Sequence, residues 1–359
     1  MMRSTGSRFA CIRFVVPCLA IAALLVVHVP AQGQAAGEVR LALDTRVAIE
    51  LGLRRIAQGA ANYPKNRQCF SCHHQAMPIL ALTAARRRGF AVEPEQIREQ
   101  VEFSLKTFAP RREQVAKGQG IGGASTTVGY ALVALEAAGH PPDETTTAMV
   151  RFLLARQRPD GSWASSANRP PTEASPFTTT AVALRGLIAY GPAEDETADA
   201  AVKLRAEVAA AVAQGRAWLL RSRPVTTEDQ VFRIFGLLAV GADEDVIRAA
   251  REQLLAEQQA DGGWAQVAGM ASDAYATGTA LVALRAAGLS ARHPAYRKSV
   301  QYLLRTQHGD GSWFVETRSR PIQTFFDNGD PGGTSQFLSF VATNWAVLAL
   351  LETCGPAAD

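Results

Sequence analysis

The sequence predicts an all-α fold in which six helical hairpins form a closed ring, an α/α toroid or (α/α)6 barrel. Three observations predict it: an apolar helix that recurs and ends at glycine, an amphipathic helix before each copy, and no segment with the alternation of a strand. Residues 36–359 are enough for one large domain of this kind.

The recurring apolar helix is clearest in Ala131–Gly139 and Ala280–Gly288, which agree at eight of nine positions. Four other apolar segments end in the same way, at Gly89, Gly191, Gly241 and Gly355. Successive glycines are 50, 52, 50, 47 and 67 residues apart. Because glycine adopts the left-handed conformation of a helix C-terminus at little cost, we expect six inner helices that end there.

Amphipathic helices are predicted between these segments, at about 45–60, 95–108, 144–157, 200–222, 243–259 and 294–307. A helix that is apolar on all sides must be buried, and one hairpin cannot bury its own inner helix. Six hairpins in a ring can do so and leave no exposed end. An open solenoid is the alternative, but it needs a polar terminal repeat, and the last inner segment, Phe340–Leu351, is too apolar for that.

Residues 1–35 have the pattern of a signal peptide. Three arginines precede an apolar run, residues 14–27, which is short for a membrane span, and small residues follow. We expect cleavage after Ala31 or Ala35 and export to the periplasm or the exterior, with an uncleaved N-terminal anchor as the alternative. No second long apolar run occurs in the sequence, so no stable membrane span is predicted.

The charge pattern argues against nucleic acid as a partner. The whole chain has a formal net charge of +4, but residues 1–35 carry three arginines and no acid, so the remainder is near +1. The longest basic cluster, Arg86–Arg88, lies at the end of a predicted helix, where cations interact favourably with the helix dipole.

Three connections from an outer to an inner helix share one pattern, in which a glutamine is followed by Asp-Gly and then by tryptophan. The residues are Gln157, Asp160 and Trp163; Gln258, Asp261 and Trp264; and Gln307, Asp310 and Trp313. Asp-Gly favours a tight turn. The glutamine can bond the free carbonyls at the end of its helix, and the tryptophan can pack on the turn while its N–H finds a partner.

This pattern resembles the QW repeat of squalene–hopene and oxidosqualene cyclases and, more loosely, the protein prenyltransferases. The resemblance covers nearly all of residues 36–359, but only one toroid, whereas those cyclases have two. It implies an α/α barrel with a mostly apolar cavity, suited to isoprenoid or triterpenoid ligands.

The catalytic signatures of these relatives are missing from the sequence. Their Asp-x-Asp-Asp acid motif does not occur, and at the nearest place, Thr178–Ala181, hydroxyls replace both acids. The prenyltransferase zinc set has as its nearest counterpart Asp273–Tyr275, which lacks cysteine and histidine. The resemblance therefore implies a fold and a ligand class, and leaves the reaction open.

Cys69, Cys72 and His73 form the C-x-x-C-H pattern of covalent haem c attachment. Two cysteines three apart can reach both vinyl groups, and the adjacent histidine can bind the iron. The alternatives are a Cys69–Cys72 disulfide, since the chain is predicted to be exported, and a zinc site that adds His74. A second axial ligand has three candidates, namely Met270, His293 and His308, and the alternative is a five-coordinate iron or a water ligand.

Polar side chains cluster at the predicted starts of the inner helices, where they either line a cavity or cap a helix. The predicted cavity-lining residues are His74, Thr127, Tyr130, Thr179, Gln230, Asp273, Tyr275 and Asn344. Asp229, Asp273 and Tyr275 are the candidate catalytic residues, and none has a motif to support it.

The sequence favours an exported, squalene-cyclase-like toroid that binds an apolar isoprenoid-type ligand, with a redox role and a redox partner if haem c is attached. One alternative is a carbohydrate-active toroid that uses acids such as Glu228, Asp229 and Asp273 with Tyr275. The other is a non-catalytic binding or scaffold module in which Cys69 and Cys72 are bridged.

Overall fold

Thirteen α-helices supply the regular structure of the residues that the computed structural model describes, 32–321 and 324–355. The helices are α1 Gln32–Asn66, α2 Met77–Arg87, α3 Pro94–Phe108, α4 Arg112–Ala116, α5 Ala124–Ala137, α6 Glu144–Ala155, α7 Pro176–Tyr190, α8 Asp199–Arg221, α9 Thr227–Ala239, α10 Glu244–Ala256, α11 Ala274–Ala286, α12 Pro294–Thr306 and α13 Gln336–Leu351. Within the described ranges only two isolated bridges have strand-like pairing. The predicted all-α fold is confirmed.

Contacts divide the chain into two units, Met1–Leu41 and Ala42–Asp359, and the ring belongs to the second. Most of the predicted signal peptide, residues 1–31, lies outside the described residues. That prediction and the boundary at residue 35 therefore stay predictions.

Apart from the short helix α4, which follows the outer helix α3, the helices alternate between an outer and an inner layer along the chain. The inner helices are α2, α5, α7, α9, α11 and α13, and they are buried on almost every side, as in α13. The outer helices bury one stripe, as α12 does with Tyr296, Ser299, Val300 and Leu303, which lie three or four residues apart. The inner helices are enclosed by the outer helices, and each outer helix buries only the stripe that faces inward. This packing explains both patterns of burial.

The inner layer closes on itself. Each inner helix contacts the next one in chain order, and α13 contacts α2. Two glycines allow this close approach: a Cβ on Gly129 would lie 3.0 Å from the backbone of Val182, and one on Gly278 would lie 2.8 Å from the backbone of Trp345. The closed ring is therefore present, and the open solenoid is excluded for Ala42–Asp359.

Helix-ending glycines occupy the face of the ring where the inner helices end. Four of them adopt the predicted left-handed conformation, with φ between 58° and 86°: Gly89, Gly139, Gly241 and Gly288. The prediction is wrong for Gly191, whose φ is −63° and ψ 153°, and Gly355 also has no positive φ. The physical reason is the proline that follows each of them, which disfavours helical conformations at the preceding residue.

The three Gln-Asp-Gly-Trp turns all make the same hydrogen bonds. Each indole N–H donates at 2.7–2.8 Å to an outer-helix carbonyl ten residues earlier, of Leu153, Leu254 or Leu303. Each glutamine amide donates to the carbonyl of its turn glycine and to a carbonyl of the next outer helix, of Ala211, Ala295 or Ala48. The glutamine thus joins its helix to a neighbour instead of capping its own carbonyls. Because Ala48 lies in α1, the third turn also closes the outer layer.

Aromatic side chains fill part of the interior of the ring. Tyr130 on α5 and Phe232 on α9 have ring centroids 6.4 Å apart, and Phe232 lies 6.4 Å from Trp345 on α13. Phe235 stacks on Trp345 at 6.1 Å. These helices are not neighbours in the ring, so the contacts cross its interior. The toroid is therefore plugged at this level.

The segment Gly333–Leu351 is long and apolar enough to cross a membrane, with a mean hydropathy of 1.3. Among the described residues, no other helix meets both conditions. The segment is the last inner helix with its first turn, and 83% of the segment is buried inside the ring. Its composition is therefore that of a core helix.

Candidate functional site

A cavity of about 390 Å³ lies at the mouth of the ring where the inner helices begin. Its inner wall is formed by Met77 on α2, Tyr130 on α5, and Leu338 and Val341 on α13. Because Tyr130 also belongs to the aromatic plug, the cavity lies between that plug and the mouth. The wall is mostly apolar, as is usual for a small-molecule site.

Two loops cover this cavity. The loop between α6 and α7 contributes Arg169, Pro170 and Glu173, and the loop between α12 and α13 contributes Ser319 and Phe325 among others. The Ser319 hydroxyl donates to the Pro170 carbonyl at 2.8 Å and joins the two. The extra length of the last repeat thus folds over the mouth. We call residues 314–335 the mouth loop.

The first connection, residues 67–76, differs from the three repeated turns. Ser71 caps the helical turn that follows, and its hydroxyl accepts from the His74 backbone N–H at 3.3 Å. Cys72–Ala76 is a turn of π-helix, a widened form that is frequent at functional sites. Cys72 and His73 line the cavity, whereas His74 is fully buried beside them.

Asp330, His74 and His73 form a hydrogen-bonded chain from the mouth loop to the cavity. His74 Nε2 lies 2.7 Å from Asp330 Oδ2, and His74 Nδ1 contacts His73 Nδ1. Because a carboxylate accepts only, the network assigns the Nε2 proton to His74, whose Nδ1 then accepts from Nδ1–H of His73. His73 Nε2 is left with a lone pair and has no hydrogen-bond partner among the described residues.

Asp330 also holds the mouth loop on α1. Arg55 Nη2 is 3.3 Å from Asp330 Oδ1, and the Asn328 side-chain amide donates to Asp330 Oδ2 at 2.8 Å. The same amide donates to the Gly59 carbonyl of α1 at 3.0 Å. One buried carboxylate therefore orients the histidine pair and attaches the loop.

Titratable groups in this wall are held in their neutral forms. Burial, and then the neighbouring His74, hold the pKa of His73 well below its usual range, and burial also lowers the pKa of His74. Burial in the recessed wall and the nearby Glu173 raise the pKa of the Cys72 thiol. At neutral pH the site thus presents neutral imidazoles and a protonated thiol.

Arg169 and Glu173 form an ion pair in the loop between α6 and α7 that covers the cavity. Both Nε and Nη2 of Arg169 contact Oε2 of Glu173, whose side chain is buried. Each charge is therefore largely neutralised by the other, and among the described lining residues Glu173 is the only carboxylate.

A buried acid lies behind Tyr130. Glu228 accepts from the hydroxyls of Thr178 at 2.7 Å and Tyr275 at 2.8 Å. Burial raises its pKa to about 8, so the carboxyl group is protonated at neutral pH. The pKa of Tyr130 is raised by burial first and then by Glu228, which places the two groups close together.

Of the eight predicted cavity-lining residues, the structure places Tyr130 on the cavity wall. Asp273 caps α11 and lies at a second cavity, while Tyr275 bonds Glu228. The others contact protein groups, as follows: His74 with Asp330, Thr127 with Cys72, Thr179 with Thr126, Gln230 with Glu257, and Asn344 with the Phe340 carbonyl. Most of these polar side chains thus join elements or cap helices.

The other candidate catalytic acid, Asp229, is a helix cap. Its carboxylate accepts from the backbone N–H groups of Val225 and Thr226 at 3.0 Å, and Ser175 donates to it at 2.6 Å. A carboxylate with these partners stabilises the N-terminus of α9.

The ligand sets predicted around the C-x-x-C-H motif are only partly assembled. Cys69 is exposed and Cys72 half-buried, and both are free thiols. No group of three or more metal-binding side chains occurs in the described part of the chain, so the zinc alternative has no assembled site. None of the three second-ligand candidates lines the cavity of His73: His293 caps α12, His308 lies at the second cavity, and Met270 bonds Gln259 through its carbonyl.

The second cavity, of about 460 Å³, lies beside the third repeated turn. Asp273, Tyr302, Trp313 and Phe314 contribute to its wall. Asp273 is its one carboxylate among the described lining residues, so the paired acids of a glycosidase are not present there.

Sequence reasoning did not identify Asp330, Glu173 or Arg169 as parts of a site. Asp330 lies in a run that reads as turn chemistry, and the other two are in a loop without a motif. His74 and Asp330 are 256 positions apart, and only the closure of the ring brings them together.

Comparison with known proteins gives matches to one family and to curated relatives. Residues 214–358 match the family described as the squalene-hopene cyclase C-terminal domain. A drimenyl diphosphate synthase of Streptantibioticus cattleyicolor is 32% identical over 221 residues, which are 58% of this chain and 37% of that protein. The chain thus spans about a third of the length of the curated relatives it matches.

Two solved structures share the fold at low identity. A variant of the type II terpene cyclase MstE from Scytonema, in complex with geranylgeranyl dihydroxybenzoate, has a TM-score of 0.54 at 14% identity and covers 88% of this chain and 99% of its own. A glycosidase variant in complex with glucose has a TM-score of 0.52 at 14% identity and covers 85% and 98%. These two similarities concern the α/α-toroid fold alone, and residues 214–358 of the chain also resemble the squalene-hopene cyclase C-terminal domain.

Proposed function

We propose that this chain, which folds as a squalene-cyclase-like toroid, binds an isoprenoid-type apolar molecule in the mouth cavity. The observation that carries the proposal is the cavity itself, a space of about 390 Å³ walled by Met77, Leu338 and Val341. Burial of an apolar chain against such a wall is favourable by roughly 25 cal/mol per Å² of surface removed from water.

The similarities found for the chain support this ligand class. The relative at 32% identity is a drimenyl diphosphate synthase, and the MstE structure contains geranylgeranyl dihydroxybenzoate. Both names contain an isoprenoid compound. We propose binding and leave any reaction open, because the sequence has no Asp-x-Asp-Asp motif and the cavity carboxylate, Glu173, is paired with Arg169.

Filling the cavity tests the proposal. Val341→Phe adds a ring on the cavity wall. We expect it to weaken binding of farnesol, measured by isothermal titration calorimetry, by about fivefold or more, since overpacking costs roughly 1–3 kcal/mol. Val202→Phe is the matched control, because Val202 is exposed on α8, and it should bind as the wild type does. Equal binding by both variants, or binding of oligosaccharides but not of farnesol, would refute the proposal.

A second candidate is a redox role with haem c attached through Cys69 and Cys72 and ligated by His73. The chain from Asp330 through His74 to His73 favours it, because a metal-binding histidine commonly donates its other ring N–H to an outer partner. The unpartnered His73 Nε2 is a suitable ligand atom, and bound haem would supply one-electron chemistry. Since His73 and Cys72 line the cavity, haem and an apolar ligand would compete for the same wall.

The mass of the intact chain tests this second candidate. After secretion from a host with haem-maturation genes, covalent haem adds its mass to the polypeptide and gives a c-type pyridine haemochrome spectrum. An unmodified mass contradicts it. A mass lower by two hydrogens indicates a disulfide, which mass spectrometry of the peptide with Cys69 and Cys72 would assign, since Cys354 is a third free thiol.

We also propose that the protein is exported to the periplasm or beyond. The support is the arginine-led apolar run of residues 14–27. N-terminal sequencing of the mature protein should begin after Ala31 or Ala35, and a cytoplasmic protein that retains Met1 would contradict export.

A further inference from the structure

The hydroxyl group of Tyr130 differs from every other tyrosine hydroxyl in the described chain. Four tyrosines have a bonded protein partner: Tyr190 with the His140 carbonyl, Tyr275 with Glu228, Tyr296 with the Ala349 carbonyl and Tyr302 with the Ser272 carbonyl. Tyr63 interacts with Ser71 and Cys69. Tyr130 is 6% exposed, lines the mouth cavity, and has no hydrogen-bond partner among the described residues.

The Tyr130 hydroxyl is not among the fully buried unpartnered atoms of the described residues, because it borders the cavity. A ligand that fills the cavity would remove this hydroxyl from water, which costs roughly 1–3 kcal/mol unless the ligand supplies a hydrogen-bond partner. The ring of Tyr130 packs edge-on against Phe232, and Cys72 and Glu173, which line the cavity, both help to raise the pKa of its hydroxyl. The polar end of the side chain thus lies close to the cavity wall. Its position therefore indicates a ligand atom that accepts a hydrogen bond there.

The charges around the cavity define what kind of acceptor fits. Arg169 is neutralised by Glu173, and Arg320 lies on the exposed rim, where solvent screens it. Burial keeps the pKa of Tyr130 well above its usual range, so the hydroxyl remains a neutral donor. Deep in the cavity, an anionic group would lose its hydration without gaining an unpaired cation.

We infer that the ligand carries a neutral oxygen function, a hydroxyl or a carbonyl group, whose oxygen accepts a hydrogen bond from Tyr130. The isoprenoid chain then lies along Met77, Leu338 and Val341. This inference rests on the proposed function, since it specifies the head group of the same ligand. It distinguishes an oxygenated, uncharged isoprenoid from both a hydrocarbon and a diphosphate.

Tyr130→Phe tests the inference with a pair of probes, farnesol and farnesene, which differ in the terminal hydroxyl. We expect the variant to weaken farnesol binding about three- to tenfold, which corresponds to one hydrogen bond of roughly 1 kcal/mol. Farnesene binding should stay within about twofold of the wild type. Tyr190→Phe is the control, because that hydroxyl bonds the His140 carbonyl outside the cavity, and it should change neither affinity.

The outcomes separate this inference from the proposed function. Equal affinities of Tyr130→Phe and wild type for farnesol would overturn the inference alone, as would an equal loss for both probes. If neither probe binds the wild type, both proposals are wrong. A third probe, farnesyl diphosphate, should bind more weakly than farnesol. Tighter binding of the diphosphate that Arg320→Ala abolishes would instead place an anionic head group at the rim.

Discussion

The three repeated turns and the first connection of the ring occupy equivalent positions, and they use different chemistry. Each repeated turn buries its tryptophan completely and makes the same glutamine and indole hydrogen bonds. The first connection has no tryptophan and instead carries Cys72, His73 and His74, whose chain of contacts leads to Asp330. All four connect the end of an outer helix to the start of an inner helix.

The difference shows which positions the fold itself needs. The three identical sets of contacts join an outer helix, an inner helix and the next outer helix. This structural role accounts for them without a ligand. His74 is buried with both ring nitrogens hydrogen-bonded, whereas His73 presents an unpartnered nitrogen at the cavity, which the joining of helices does not explain. Features that recur with the repeat are therefore structural. Of the three connections that lack the turn, the first is the one whose residues line the mouth cavity.

The largest expected effect concerns the repeated turns. Trp313→Ala should lower the free energy of unfolding by about 3–5 kcal/mol, because it leaves a cavity and removes the bond to the Leu303 carbonyl. Urea denaturation followed by circular dichroism measures it. The adjacent Phe314→Ala is the control, since Phe314 is 50% exposed and should change stability by less than about 1 kcal/mol. Equal losses in the two variants would show that the turn is not a structural joint.

A smaller effect is expected at the first connection. Asp330→Asn removes the carboxylate that accepts from His74 and contacts Arg55, which should cost about 1–3 kcal/mol and loosen the mouth loop. Limited proteolysis should then cut the mouth loop faster, while the repeated turns stay protected. Asp327→Asn, three residues away and exposed, is the control. Unchanged proteolysis in Asp330→Asn would contradict the anchoring role of Asp330.

Per pH unit, the smallest effect is the change of stability with pH. The pKa of Glu228 is raised from 4.5 to about 8, so between these values the unfolded chain binds fewer protons than the folded one. The free energy of unfolding should therefore fall as pH rises across this window, by up to about 1.4 kcal/mol per pH unit from this group.

Glu228→Gln should remove that contribution, so the difference in stability between wild type and variant should change with pH between about 5 and 8. Taking the difference cancels the opposing slope of the buried histidines, whose lowered pKa values favour the folded state as pH rises. Glu99→Gln, on the exposed side of α3, should leave the profile unchanged. A pH-independent difference for Glu228→Gln would show that this carboxyl titrates normally.

The parts of the molecule that could be predicted from the sequence are those that repeat. Helix-ending glycines and the Gln-Asp-Gly-Trp turns recur in phase, so the hairpins and the closed ring follow from them. Gly191 departs from its copies because proline follows it, and that local effect is also visible in the sequence.

The site could be predicted only in part, for a physical reason. Cys72 and His73 stand out as a local motif, whereas Asp330 and Tyr130 acquire their roles through ring closure and packing. Polar residues at helix starts have the same sequence signal whether they cap a helix or line a cavity, and in Asp229 and Asp273 capping accounts for the position. The central plug arises from contacts between Phe232 and Trp345, on helices that are not neighbours.

Photolabelling with a benzophenone-tagged farnesol, followed by peptide mapping, tests most directly whether the mouth cavity binds an isoprenoid. We expect labels on peptides that contain Met77 or residues 337–341, and competition by untagged farnesol. Labels confined to the second cavity, on peptides with Asp273 or residues 305–308, or labels that farnesol does not displace, would contradict the assignment of the mouth cavity as the binding site.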